Sequence, residues 1–265
     1  MKDIITFFKK KKSESKKISV LTCYDYSTAR IFSDTELDCI LVGDSLGMVF
    51  QGQESTMPVS LEEMIYHAKA VKRGASAIPI ICDLPFLSYH VSKEEGIRAC
   101  GRVMQETGSA AVKIEGASPY ILDLVSHLVE IGIPVVGHLG LTPQSARVLG
   151  GHRLQGKKPE EALKILEGAK NLEKAGVFSI VLEMIPESLG KEITETIQVP
   201  TIGIGAGRFT DGQVLVINDL LGMNPDFNPR FLKKYRDLYS IIRGAVEEYD
   251  REVKSSEFPG EKNVF

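Results

Sequence analysis

Short, nearly continuous apolar runs recur along the chain, separated by longer stretches in which apolar residues return every three or four positions. The short runs are KISVLT (17–22), DCILVG (38–43), AIPIIC (77–82), SAAVKI (109–114), IPVVG (133–137), FSIVL (178–182), VPTIGIG (199–205) and QVLVI (213–217). Runs of this kind, rich in Val and Ile and without polar alternation, mark parallel strands covered on both faces. The longer stretches carry helix punctuation. SLEEMIYHAKAVKRG (60–74) opens on Ser60, has Glu63 three residues on and closes at Gly74, the spacing of a capping box and a glycine stop. SKEEGIRACGRVMQETG (92–108) repeats the layout from Ser92 and Glu95 to Gly108, and KPEEALKILEGAKNLEKAG (158–176) carries Pro159 in its first turn and Gly176 past its last.

Eight such strand units with intervening helices, in about 220 residues, predict an α/β fold of the (β/α)8 TIM-barrel type. An open doubly wound sheet is the alternative, but no glycine-rich fingerprint follows the first strand. GIGAGRFTDG (203–212) is glycine-rich at strand seven and reads equally as a phosphate cradle or as a tight turn needing positive φ. The texture changes after Asn224 to a turn, an amphipathic helix and a polar tail. The expected organisation is one barrel domain over 1–265, with 225–265 as a C-terminal helical extension.

Composition narrows the function. The 265 residues are 43% hydrophobic with a net charge of −3, so there is no broad basic field and nucleic acid is not an expected partner. The one basic cluster, FFKKKKSESKK (7–17), reads as a solvated, partly frayed segment. No apolar stretch reaches the length of a membrane span. Cys23, Cys39, Cys82 and Cys100 form no CxxC pair and sit mostly in apolar runs, as buried free thiols of a reducing compartment do. A cytoplasmic enzyme of small molecules is the expectation.

The candidate chemistry lies where the strands stop. Strand two ends in Asp44 and Ser45, strand three in Asp83, strand four carries Lys113 and Glu115, strand five ends in His138 and strand six in Glu183. In a barrel these ends share one face, where active sites are built. A short Asp after a strand often caps the next helix, but the following helices have caps of their own at Ser60 and Ser92. Lys113 and Glu115 fall on one side of their strand and read either as a structural ion pair or as cavity-facing groups. Asp44, Asp83 and Glu115 offer only oxygen, which suits a hard cation such as Mg²⁺ better than zinc. A 2-oxo acid chelated there would have its neighbouring carbon acidified, and Glu183, arriving from another strand, is the candidate base.

At these residues the chain resembles the ketopantoate hydroxymethyltransferases. The resemblance rests on LTCYDYSTAR, DCILVGDSLGMVFQGQESTMPVSLEEMIYHAKAVKRG, CDLPFLSYHVSKEE, AVKIEG, IPVVGHLGLTPQSARVLGGHRLQGK, IVLEMIP and VPTIGIGAGRFTDGQVLVINDLLGM, which together span residues 21–223 with few gaps. It implies a (β/α)8 barrel and the first committed step of pantothenate synthesis, in which 5,10-methylenetetrahydrofolate gives a one-carbon unit to 3-methyl-2-oxobutanoate, forming 2-dehydropantoate. It further implies Asp44 and Asp83 as Mg²⁺ ligands, with Glu115 a nearby ligand, directly or through water. Ser45 and Lys113 would bind the oxo acid, His138 would contact the hydroxymethyl end of the product, and Glu183 would be the base. The family assembles as decamers, pentamers of dimers, with C-terminal helices exchanged between paired subunits. The competing enzyme reading is a metal-dependent lyase or mutase of the isocitrate lyase or phosphoenolpyruvate mutase type, and a second is a Schiff-base aldolase using Lys113.

Overall fold

In a computed structural model of the chain, which describes residues 3–265, eight parallel strands close into a barrel in the order in which they occur. The strands are β1 (Ile18–Thr22), β2 (Cys39–Val42), β3 (Ile80–Asp83), β4 (Ala111–Glu115), β5 (Val135–Gly140), β6 (Ser179–Glu183), β7 (Thr201–Ile204) and β8 (Gly212–Leu215). β8 returns to pair with β1, Val214 opposite Val20. Every residue of β2, β3 and β4 is buried, which is why those segments are written without polar alternation.

Helices cover the barrel from outside. They are α2 (Tyr26–Phe32), the short α3 (Leu46–Val49), α4 (Leu61–Gly74), α5 (Lys93–Thr107), α6 (Pro119–Glu130), α7 (Pro159–Ala175) and α8 (Glu187–Thr196), preceded in the chain by α1 (Ile4–Ser13). The predicted capping box is formed in full: Glu63 N–H donates to Ser60 Oγ, and Ser60 N–H donates to Glu63 Oε2 at 2.7 Å. α5 stops at Gly108, whose φ of +65° is left-handed, and α7 at Gly176 with φ +101°.

The N-terminal lysine cluster is not a frayed segment. It is the end of α1, and α1 closes the floor of the barrel. Ile4 and Phe8, one helical turn apart, join the core made by Ile18, Val20, Leu41, Val136, Phe178 and Val214, and the Phe8 ring meets Phe178 edge-on at 5.5 Å. Two of the lysines then become anchors. Lys11 Nζ lies 2.8 Å from Asp38 Oδ1. Lys12 Nζ donates to the carbonyls of Thr194, Ile197 and Val199 at 3.0–3.1 Å and to Asp211 Oδ2 at 2.9 Å. Three of its acceptors cluster at the end of α8 and just beyond it, where a cation also meets the negative end of the helix dipole.

GIGAGRFTDG is a tight turn rather than a phosphate cradle. Gly205 and Gly207 have φ of +64° and +82°, and the Arg208 N–H donates to the Glu187 carboxylate at 3.2 Å. A carboxylate already meets the backbone donor that a cradle would offer to a phosphate.

The residues form two compact units, one ending at Val216 and the other running Ile217–Phe265. The second holds α9 (Ile217–Leu220) and α10 (Leu238–Lys254). α10 is the predicted amphipathic helix, and it buries none of its residues.

Candidate active site

Neighbouring strands bring the strand-end residues together because their registers are set one step apart. Asp83 stands opposite Lys113, Glu115 opposite His138, and Gly140 opposite Glu183. Asp44 follows β2, and its N–H donates to Asp83 Oδ2 at 3.1 Å. Gly43 leaves space for the Ser45 hydroxyl, since a Cβ there would lie 2.7 Å from Ser45 Oγ. Asp44, Asp83, Lys113, Glu115 and His138 are all buried, whereas Ser45 and Glu183 are partly open. The seven residues predicted from the sequence therefore stand together at the C-terminal mouth of the barrel.

The group is a ladder of alternating charge. Lys113 Nζ lies 3.2 Å from Asp83 Oδ1 and 3.9 Å from Glu115 Oε1. His138 Nδ1 lies 3.3 Å from Glu115 Oε1, and its Nε2 lies 3.2 Å from Glu183 Oε2. Burial opposes the charge on Lys113, but Asp83, Glu115 and Asp44 hold its amine well above the ordinary lysine range. That keeps it an ammonium and argues against a Schiff-base lysine, which needs a depressed pKa. His138 is likewise disfavoured as a cation by burial and by Lys113, yet its contacts with Glu115 and Glu183 outweigh both and raise it to about 9.

The carboxylates are held differently from one another. Burial, then the charges of Asp83 and Glu115, push Asp44 up to about 8. Burial also raises Asp83, in spite of Lys113. Burial works against Glu115 too, but its contact with His138 brings it below the ordinary range. Two acids pushed upward mark a pocket short of positive charge, and Asp83 Oδ1 and Glu115 Oε1 meet Lys113 and His138 as ion-pair contacts without an aligned hydrogen bond. Among the described residues no three His, Cys, Asp or Glu side chains are gathered as a ready metal cage. The adjacent pair Asp44 and Asp83, with Glu115 near, nevertheless has the donor chemistry of a hard cation that takes one or two carboxylates and fills its shell with water and substrate oxygens.

Sequence reasoning missed three supports. Tyr24 OH meets Ser45 Oγ at 2.9 Å. Gln144, in the 3₁₀ turn Pro143–Ser145 after β5, and Tyr89, after β3, bridge Asp44 to Glu115. All three lie on loops, where no periodicity betrays burial. The one available signal was a Gln following Pro at a strand-end turn.

The cysteines take no part. All four are buried, and burial pushes Cys23 up to about 11 and Cys100 to about 12, with Cys39 and Cys82 higher still. None has the depressed pKa of a reactive thiolate.

The chain is similar to several known proteins. A sequence profile of ketopantoate hydroxymethyltransferases matches residues 2–261. A 3-methyl-2-oxobutanoate hydroxymethyltransferase of Leptospira interrogans serovar copenhageni is 60% identical over 265 residues, covering 100% of both chains. Among solved structures, 2,3-dimethylmalate lyase of the PEP mutase/isocitrate lyase superfamily matches with TM-score 0.62 at 14% identity, over 100% of this chain and 93% of its own. Phosphonopyruvate hydrolase in complex with oxalate and Mg²⁺ matches with TM-score 0.64 at 9% identity, over 98% and 93%. These two share the fold.

Proposed function

The chain belongs to the ketopantoate hydroxymethyltransferase family, and from that premise we propose that it transfers a one-carbon unit from 5,10-methylenetetrahydrofolate to 3-methyl-2-oxobutanoate, giving 2-dehydropantoate for pantothenate synthesis. The observation that carries the reading is the charge ladder from Asp83 through Lys113, Glu115 and His138 to Glu183, with one partly open carboxylate at its end.

Asp44 and Asp83, with Glu115 beside them, would hold Mg²⁺, which is also the ion named for the distantly similar phosphonopyruvate hydrolase complex. When bound, the cation supplies positive charge that polarises the oxo acid carbonyl and acidifies C3. The protein's own groups do the rest. The Lys113 ammonium and the Ser45 hydroxyl, oriented by Tyr24, donate hydrogen bonds to the oxo acid's oxygens. Glu183 Oε2 takes the C3 proton. The C–H electron pair moves into a C2–C3 bond and the carbonyl pair moves onto oxygen. C3 then bonds to the folate methylene carbon. Over the whole reaction the two methylene–nitrogen bonds are replaced by one carbon–carbon and one carbon–oxygen bond, one water is consumed, and the folate nitrogens take up protons. His138, held as a cation beside Glu183, steadies the carboxylate and faces the developing hydroxymethyl group.

The reading extends to assembly as a homodecamer. On α10, Ile242, Val246, Tyr249 and Val253 form an apolar stripe that is 44–61% exposed, as a helix reserved for another subunit would be. Sedimentation of the intact protein measures this directly.

The test of the chemistry is C3 exchange. Protein, Mg²⁺ and 3-methyl-2-oxobutanoate in D₂O without folate should lose the C3 proton signal by NMR, and EDTA should stop the loss. Retention of the proton with Mg²⁺ present would remove enolisation as the first step.

A further inference from the structure

Gln144 is 5% exposed, and both ends of its amide and its backbone donor are engaged with the carboxylate pocket or its walls. Its Nε2 donates one hydrogen to Asp44 Oδ2 and the other to the Leu84 carbonyl, both at 2.8 Å. Its Oε1 accepts from Tyr89 OH at 2.8 Å. Its backbone N–H donates to Glu115 Oε2 at 3.1 Å, and Tyr89 OH in turn accepts from Glu115 N–H at 3.2 Å. The amide has one workable orientation. Turned over, it would set Oε1 against two oxygen acceptors and Nε2 against the hydroxyl that donates to it.

One side chain on the loop after β5 thus ties down the ends of β2, β3 and β4. Asp44 is buried beside Asp83 and Glu115, and the N–H donor on its Oδ2 fixes the rotation of the carboxylate. The backbone N–H of the same residue fixes Glu115, so the separation of the two acids is set by one rigid turn rather than by two independent side chains.

We propose that Gln144, braced by Tyr89, is a positioning residue of the cation site: it holds Asp44 and Glu115 in the orientation and spacing that a hard divalent cation requires. The inference rests on the reading of that pocket as a Mg²⁺ site. A neutral amide is needed, because it supplies two donors and an acceptor without adding charge. Glutamate would place a fourth carboxylate in the pocket, and methionine would fill the same volume with no hydrogen bond at all.

The test is Mg²⁺ binding by calorimetry, in the absence of substrate, to the wild-type protein, Gln144→Met and Tyr89→Phe, with thermal melts of each. Supports of metal ligands typically contribute ~10–100-fold in affinity. Gln144→Met should therefore weaken Mg²⁺ by about that factor while the barrel still melts cooperatively, and its activity should return as Mg²⁺ is raised. Tyr89→Phe keeps the amide's contact with Asp44 and should show a smaller loss in the same direction, which preserves the test if the Met variant folds poorly. An unchanged Mg²⁺ dissociation constant in both variants, with only a lowered melting temperature, would overturn the proposal and reduce Gln144 to a packing role. A wild-type protein that binds no divalent cation would overturn the metal site itself and the proposal with it.

Discussion

His138 Nε2 stands 3.2 Å from Glu183 Oε2, and the histidine is the buried member of the pair while the carboxylate is the partly open one. The arrangement sets a carboxylate at the mouth of a barrel with a buried imidazole behind it. It separates two roles that either residue alone might have filled, and the predictions below begin from that separation.

Glu183→Gln keeps the size of the side chain but removes its proton acceptor. The variant should bind Mg²⁺ and 3-methyl-2-oxobutanoate as the wild type does, while C3 deuterium exchange falls ~10²–10⁴-fold, the usual loss on removing a general base. Exchange at the wild-type rate would mean that Glu183 serves only the turn into α8.

Asp83→Asn should weaken Mg²⁺, because a neutral amide oxygen is a poorer ligand for a hard cation. Activity should be lost at low Mg²⁺ and partly recovered at high Mg²⁺. A titration of rate against Mg²⁺ that overlays the wild type would take Asp83 out of the cation site.

Lys113→Met removes the ammonium between Asp83 and Glu115. The KM for the oxo acid should rise. Stability should fall by about 3 kcal/mol or more at neutral pH, since the loss of one partner strands buried charge. The loss should shrink in acid, where the stranded carboxylates protonate. Borohydride added to the wild-type protein with substrate should trap no adduct, and a trapped adduct at Lys113 would transfer the mechanism to imine chemistry.

The His138 pKa rises from an ordinary 6.5 to about 9 on folding. A folded-state value above the unfolded one means stability that is fully present below pH 6.5 and lost as pH climbs through 9, here on the order of 3 kcal/mol. Asp44, also raised in the fold, acts in the same direction. Urea denaturation of the metal-free protein should show falling stability from pH 6.5 to 9, and His138→Gln should flatten that slope. Parallel pH profiles for the two proteins would refute the assignment.

Lys12→Met should lower stability by ~1.5–3 kcal/mol, the range for hydrogen bonds to a charged group, because it frees three carbonyls and leaves Asp211 without its cation. It should leave kcat unchanged, since α1 packs at the floor and the chemistry is at the mouth. A changed kcat in folded protein would mean that floor and mouth are coupled.

The barrel was legible because strands covered on both faces are spelled as unbroken apolar runs, and the acids were legible because polar residues interrupt those runs at their ends. One boundary drifted where burial continued past the expected end: β5 runs on through His138 to Gly140. Gln144 and Tyr89 were hidden for a physical reason. Their burial arises from loops closing over the mouth, and a loop carries no period. The lysine cluster misled because its charge outweighs the quieter signal of Ile4 and Phe8 one turn apart, with Asp3 as the N-cap accepting from the Ile5 N–H. Lysine stems can lie along apolar surface while their heads seek carbonyls, so a run of them does not by itself mean exposure.

The floor helix has a consequence for how the chain is made. Its contacts span very different stretches of chain: Lys11 meets Asp38, while Lys12 waits for Asp211, 199 residues downstream, and at the usual pace of synthesis that is roughly 10–40 s. Until β8 emerges and pairs with β1, Ile4 and Phe8 have no completed floor to enter. Lys11 can be tethered early, and Lys12 secures the helix once the ring has closed.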